Sequence, residues 1–246
     1  MAPELEPQGH RWSPTQFKRS SRSVRLSGSY ANFCLASDPA TRHCELHSAK
    51  TCHTVARMKR KRQHRRNYNE PGHAHELTFS CYHGFKFLQA ERTCEWLRDS
   101  LNAARTAFKF DLWAFVFMPE HVHIIVHPRN EVYDIAAIRQ AIKELVGRKG
   151  VEYLRSHAPE WLEKIRVVKG DRVRHHFWQA GGGYDRNAVE PRTLMQMIEY
   201  IHLNPVRRGL VTRAIDWKWS SANWYEGNGE CPIKIDPIPR ELLMVD

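Results

Sequence analysis

Two apolar runs, KFDLWAFVFMP (109–119) and HVHIIVHP (121–128), meet across Pro119 and Glu120. Both are rich in aromatic and β-branched residues, the composition that suits a pleated, half-buried surface. A junction this short joins neighbouring antiparallel strands, because a parallel return needs a crossover of a dozen residues or more. The chain is therefore committed to an antiparallel sheet with this hairpin as its most apolar part.

The flanking segments extend the pattern. HELTFSCYH (75–83) alternates in strand fashion at Leu77, Phe79 and Cys81/Tyr82. ERTCEWLRDSLNAARTAF (91–108) places Trp96, Leu97, Leu101, Ala104 and Phe108 at helical spacing. DIAAIRQAIKELVGRKG (134–150) reads as an amphipathic helix with Asp134 as its N-cap and Gly147 or Gly150 near its end. WLEKIRVVKGDRVRHHFWQ (161–179) reads as strand material around a turn at Gly170. PRTLMQMIEYIHLNP (191–205) is a helix entered through Pro191 and stopped at Pro205, and DWKWSSANWYEG (216–227) is aromatic and irregular. Strand, helix, strand, strand, helix, strand is the order of an α+β, ferredoxin-like split βαβ domain. Such a domain has an antiparallel sheet with helices on one face; here an additional C-terminal helix follows. The opposite face is expected to be open to a ligand.

Charge narrows the partner. Lys and Arg outnumber Asp and Glu by 38 to 27, for a formal net charge of +11, so a polyanion such as nucleic acid is expected. No apolar run approaches the roughly 20 residues of a membrane span, and no signal-peptide stretch opens the chain. The expected location is cytoplasmic, with the nucleoid if the partner is DNA, and no membrane partner is expected. Residues 1–57 carry no periodicity and are expected to be disordered. MKRKRQHRRNYNEPGH then begins at Met58, the expected true translation start, which N-terminal mass spectrometry of the native protein should find. Lys59, Arg60, Lys61, Arg62, Arg65 and Arg66 form a basic arm suited to phosphates. The expected division is a basic segment over 1–66, one domain over 67–227 and a tail over 228–246. None of the six cysteines forms a C-x-x-C pair, and Cys44 and Cys52 with His43, His47 and His53 fit no standard zinc spacing, so free thiols are expected.

Parity along 121–128 separates two faces. Val122, Ile124 and Val126 share one, the natural core side; His121, His123, Ile125 and His127 share the other. Two imidazoles one strand repeat apart can converge on one divalent ion. In the helix 191–204, Leu194, Ile198 and Ile201 define a buried stripe, while Thr193, Gln196, Tyr200 and Asn204 lie along an adjacent polar line. Tyr200 and Asn204, at i and i+4, could offer a nucleophilic phenol and a further amide ligand. Tyr184, after three glycines, is a rival nucleophile or a platform for base stacking; Trp178, Trp217, Trp219 and Trp224 suit stacking or core packing equally.

MPEHVH (118–123), EYIHLNPVRRGLV (199–211) and DWKWSS (216–221), in this order and spacing, resemble the single-tyrosine HUH transposases, in particular the REP-associated tyrosine transposase-like proteins. The resemblance covers roughly residues 67–225. It implies a DNA-binding transposase that cleaves and rejoins single-stranded, often hairpin, DNA through a 5′-phosphotyrosine intermediate. By that resemblance His121 and His123 bind Mg²⁺ or Mn²⁺, Tyr200 is the nucleophile, and Asn204 stands where related transposases carry a glutamine ligand. Arg207 and Arg208 are expected to assist on DNA, as is Tyr184. The alternatives are a non-catalytic single-strand-binding module, a domesticated REP-element-processing protein, or another HUH nuclease such as a relaxase. Monomer and homodimer remain equally open.

Overall fold

The computed structural model describes residues 67–227 and 231–243, which lie in one unit of the chain. The expectations for residues 1–66 fall outside them: the disordered segment, the Met58 start, the basic arm and the thiols Cys34, Cys44 and Cys52.

The hairpin forms as its sequence requires. β2 (Phe110–Phe117) and β3 (His121–Pro128) pair antiparallel, and Met118 donates to the His121 carbonyl at 2.8 Å to close the turn. β3 pairs on its other edge with β1 (Ala74–Ser80), which pairs in turn with β6 (Tyr184–Ala188). The order β2-β3-β1-β6, with every pair antiparallel, is that of the expected split βαβ domain. The fourth strand does not come from 161–179. That stretch folds on itself as a separate two-stranded ribbon, β4 (Arg166–Lys169) with β5 (Arg172–His175). Its valines are interleaved with Arg and Lys, so neither face can be buried in a core. The polar YDRNA of β6 suffices at a sheet edge, where backbone bonds to β1 do the pairing. Tyr184 thus opens a strand. Gly183 makes the junction possible: it has φ +67°, and a Cβ there would lie 2.0 Å from the Thr78 carbonyl oxygen.

Helices α1 (Glu91–Phe108) and α2 (Ile135–His157) cover one face of the sheet, and the short α3 (Glu160–Lys164) leads from α2 into the ribbon. Leu97, Leu101, Ile138 and Ile142 meet Leu77, Phe79, Val122, Ile124 and Val126 there, as parity predicts. A bulge at Leu112/Ala114 shifts β2 by one residue, so Trp113 and Ala114 both point to the opposite face. That second face is not open. α4 (Pro191–His202) lays Leu194, Met197, Ile198 and Ile201 on Trp113, Ala114, Val116 and Ile125 and builds a second core around them. The reason is visible in hindsight: Ile125 and the bulged Trp113 make the face too apolar to leave wet.

Asp134 caps α2 as expected, accepting a bond from the Ala136 amide at 2.8 Å. The helix nevertheless runs past both glycines to His157. They are places of close approach, not a terminus: Trp178 packs against Gly147 and the Phe177 ring against Gly150. Segment 231–243, expected to be tail, contributes Ile233 and Ile235 to the first core, and Asp236 accepts from the Leu112 amide while pairing with Arg105. The exposed edge of β2 is protected by DWKWSS, since Phe117 donates to the Trp219 carbonyl and Ser221 to that of Phe115. Trp178 and Trp219 are buried, Trp217 is half-buried with its indole N–H on the Phe117 carbonyl, and Trp224 alone of the four is exposed.

Gly150→Ala should destabilise the fold by about 1–3 kcal/mol, because the new methyl would stand 2.4 Å from the rigid Phe177 ring. Urea denaturation checks this; an unchanged midpoint would show that the helix and ring can separate freely.

Candidate active site

β3 begins at the hairpin turn, and its first three residues set two imidazoles side by side. The His121 and His123 rings lie 4.9 Å apart, centroid to centroid, nearly perpendicular. Each is oriented through Nδ1. His121 Nδ1 donates to Glu120 Oε1 at 3.1 Å; His123 Nδ1 bonds Thr78 Oγ1 at 2.8 Å, with Glu76 Oε1 at 3.5 Å. Neither Nε2 is engaged by another described residue. A ring held at Nδ1 by a carboxylate, with Nε2 left over, is the arrangement in which histidine binds metals.

Electrostatics favour the ligating form. Burial, reinforced by neighbouring His123, pushes His121 down to about 4, so its imidazole is neutral near pH 7. Burial acts to raise the Glu120 carboxyl, yet it is held below the usual carboxylate range. With His121 neutral, the cation responsible is the Arg208 guanidinium, 2.6 Å from Glu120 Oε1. Glu120 Oε2 is buried with no partner among the described residues. The chain thus presents two preoriented nitrogen donors, while among the described residues no three His, Cys, Asp or Glu side chains are grouped so as to hold a metal ion.

α4 brings the phenol. Because Leu194, Met197, Ile198 and Ile201 face the second core, the polar side of the helix leans over the start of β3. The Tyr200 ring stands 6.1 Å from that of His123, edge-on, and Tyr200 is 47% exposed. Arg207, from the short α5 (Asn204–Arg207), lies over the Tyr200 ring at 4.8 Å. A cleft of about 480 Å³ opens here, lined by Glu76, Thr78, His123, Tyr184, Arg186, Gln196, Met197 and Tyr200.

Most of the expected residues therefore converge: His121, His123, Tyr200, Tyr184, Arg207 and Arg208 gather around the hairpin turn and the cleft. Asn204 does not line the cleft; its amide donates to the Tyr200 carbonyl at 3.2 Å and so finishes α4. Gln196, one turn before Tyr200, lies in the cleft wall instead. Glu76 had escaped the sequence reading. It is 4% exposed, and its only signal was an acidic residue on the polar side of an alternating strand, the side that His123 shares. His127 is kept from the site by stacking on Trp113 at 4.5 Å.

The C-terminal end of α4, just past Tyr200, is fixed by a buried histidine. Ser221 Oγ donates to the Phe115 carbonyl and accepts from its amide, so His202 Nε2, 2.7 Å away, must donate to it. Burial pushes His202 down to about 4.

No family model matches the chain. A curated protein of Haemophilus influenzae, named as a candidate REP-associated tyrosine transposase, is 27% identical over 149 residues, spanning 56% of this chain and 77% of that relative. A solved structure of a REP-associated tyrosine transposase bound to a REP hairpin superposes with a TM-score of 0.52 at 19% identity, over 70% of this chain and 91% of the other. It has the same fold. A crystal structure of a candidate transposase from Deinococcus radiodurans covers 56% of this chain and 95% of its own at 18% identity, with a TM-score of 0.36, too low to carry weight. The resemblance read from MPEHVH, EYIHLNPVRRGLV and DWKWSS is borne out by the first two. No described helix is long and apolar enough to cross a membrane.

Because His202 is neutral in the fold, stability should be full above pH 6.5 and should fall as pH drops toward 4, where only the unfolded chain takes up the proton. This group accounts for on the order of 3 kcal/mol. In His202→Gln the loss of stability between pH 7 and 5, followed by denaturant melts, should shrink; an identical pH slope would show that His202 is charged in the fold.

Proposed function

We propose that this chain is a transposase of the REP-associated tyrosine type, which cleaves and rejoins single-stranded DNA flanking a hairpin. The observation that carries the reading is the approach of Tyr200 to the His121–His123 pair of its own chain, across the cleft beside β3. A small basic site with one phenol, two preoriented imidazoles and nearby guanidinium groups is suited to phosphoryl transfer, which needs positioning and charge neutralisation above all.

His121 and His123 would hold Mg²⁺ or Mn²⁺ through Nε2, with the Gln196 amide as an oxygen donor in the same cleft; Asn204 is better placed as the cap that fixes Tyr200. When bound, the ion supplies Lewis-acid polarisation of the scissile phosphate. The protein's own groups do the rest. Tyr200 is half-exposed, so its hydroxyl can reach a phosphorus from the cleft side. Arg207, over the ring, places a positive charge beside the attacking group, where negative charge develops. Attack of Tyr200 Oη on phosphorus forms the 5′-phosphotyrosine bond as the P–O3′ bond breaks. The released 3′ oxygen takes up a proton, and the reverse attack rejoins the strand with no external energy source. Glu120 and Glu76 keep the imidazoles in register, Glu120 itself being clamped by Arg208. The nearness of Tyr200 to His123 of the same chain supports assembly of the site within one subunit.

Incubation of the full-length protein with Mn²⁺ and an oligonucleotide carrying a hairpin and an unpaired flank should give an SDS-resistant covalent adduct. Tyr200→Phe should abolish it. His121→Ala should lower cleavage on the order of 10²-fold while leaving DNA binding intact. An adduct that survives in the Phe variant would remove Tyr200 from the role. DNA binding with no adduct in the wild type would favour the non-catalytic or domesticated alternative.

A further inference from the structure

The β4–β5 ribbon is an element that neither the sheet nor the site accounts for. Its register places Val167, Lys169, Arg172 and Arg174 on one side and Arg166, Val168, Val173 and His175 on the other. Lys169, Arg172 and Arg174 are exposed, and none has an ion-pair partner among the described residues. Lys169 and Arg172 stand directly opposite each other, an arrangement that costs stability unless an anion lies between or above them. Asp171 is the lone acid between Arg166 and His176. The face is thus a concentrated positive surface that the protein itself leaves uncompensated.

Its root fixes where that surface stands. His176 donates to the Ile165 carbonyl at 2.8 Å and closes the base of the ribbon. Phe177 and Trp178 then bury against α2, and Gln179 donates to the Ser80 carbonyl at 2.8 Å. Ser80 is the cross-strand partner of His121. The ribbon therefore springs from the end of the sheet that carries the imidazole pair.

We propose that the β4–β5 ribbon is an arm for double-stranded DNA: it enters the groove of a hairpin stem, with Lys169, Arg172 and Arg174 contacting phosphates. The proposal deepens the reading of the site as one acting on hairpin-flanking DNA and rests on it. A two-stranded ribbon matches the width of the B-form major groove. Binding to unpaired strands relies on aromatic platforms, and RVVKGDRVRH (166–175) contains no Phe, Tyr or Trp. An unpaired flank entering the Tyr200 cleft would leave its stem beside the root of this arm.

The test compares the full-length wild type with Lys169→Gln/Arg172→Gln/Arg174→Gln and with Arg172→Lys/Arg174→Lys. Fluorescence anisotropy is read across a salt series on three probes: a DNA hairpin with its flank, the flank alone, and an RNA hairpin of the same sequence. The triple variant should bind the DNA hairpin on the order of tenfold more weakly, with its log–log salt slope reduced by about 2–3, and bind the flank as the wild type does. The lysine variant, which keeps the charges, should stay near wild type. Unchanged hairpin binding, or equal losses on hairpin and flank, overturns the arm. So does tighter binding of the RNA hairpin, whose major groove is too narrow for a ribbon. Covalent adduct formation by the wild type on the hairpin-with-flank probe and Mn²⁺ separates the two proposals. An adduct with ribbon-independent hairpin binding removes the arm and leaves the transposase reading. Ribbon-dependent hairpin binding with no adduct does the reverse.

Discussion

The seating of α4 on the second face of the sheet is the contact on which the rest depends. Leu194, Met197, Ile198 and Ile201 bury against Trp113, Ala114, Val116 and Ile125. A few such fully buried side chains stabilise a helix position by several kcal/mol at roughly 25 cal/mol per Å² of apolar surface removed from water. That energy fixes the helix rotation, and the rotation sends Tyr200 toward His123. Without the bulge that turns Trp113 and Ala114 to the same side, the face would hold less apolar surface and α4 a weaker seat.

Around this contact the polar groups form a chain of orientation. Arg208 holds Glu120, Glu120 holds His121, and Thr78 with Glu76 holds His123. At the other end His202 ties α4 to Ser221, whose hydroxyl is spent on both backbone groups of Phe115. The imidazoles and the phenol are therefore held from opposite sides of one core, by β3 below and α4 above. Burial serves both ends in the same way: it keeps His121 and His202 neutral, the first free to ligate and the second able to donate.

Elements with strong periodicity were legible in the sequence. α1 and β3 have the ends expected of them and β2 loses only Lys109, Met118 and Pro119 from its run, since long apolar patterns and a two-residue junction leave few alternatives. β6 was not legible, because YDRNA has no apolar alternation and is a strand only through its neighbour β1. Gly147 and Gly150 looked like a helix terminus because isolated glycines weaken helices. Their reason is the aromatic pair Phe177–Trp178 arriving from elsewhere in the chain. Asn204 was expected to reach the site through i,i+4 spacing, but the helix ends at His202, so the amide turns back to cap Tyr200. Glu76 carried almost no sequence signal, since one acid on the polar side of a strand is ordinary until a histidine is found diagonally across from it.

The sequence by itself determined the antiparallel sheet, the parity that puts His121 and His123 on one face, and the helix on which Tyr200 rides. Those features follow from periods of two and 3.6 residues, which are local. Only the tertiary structure decided that α4 would cover the histidine face, that Gln196 and Glu76 would share the cleft with Tyr200, and that the basic ribbon would stand apart from the sheet. Those outcomes depend on which apolar surfaces find each other across about a hundred residues of chain, and no local period records that.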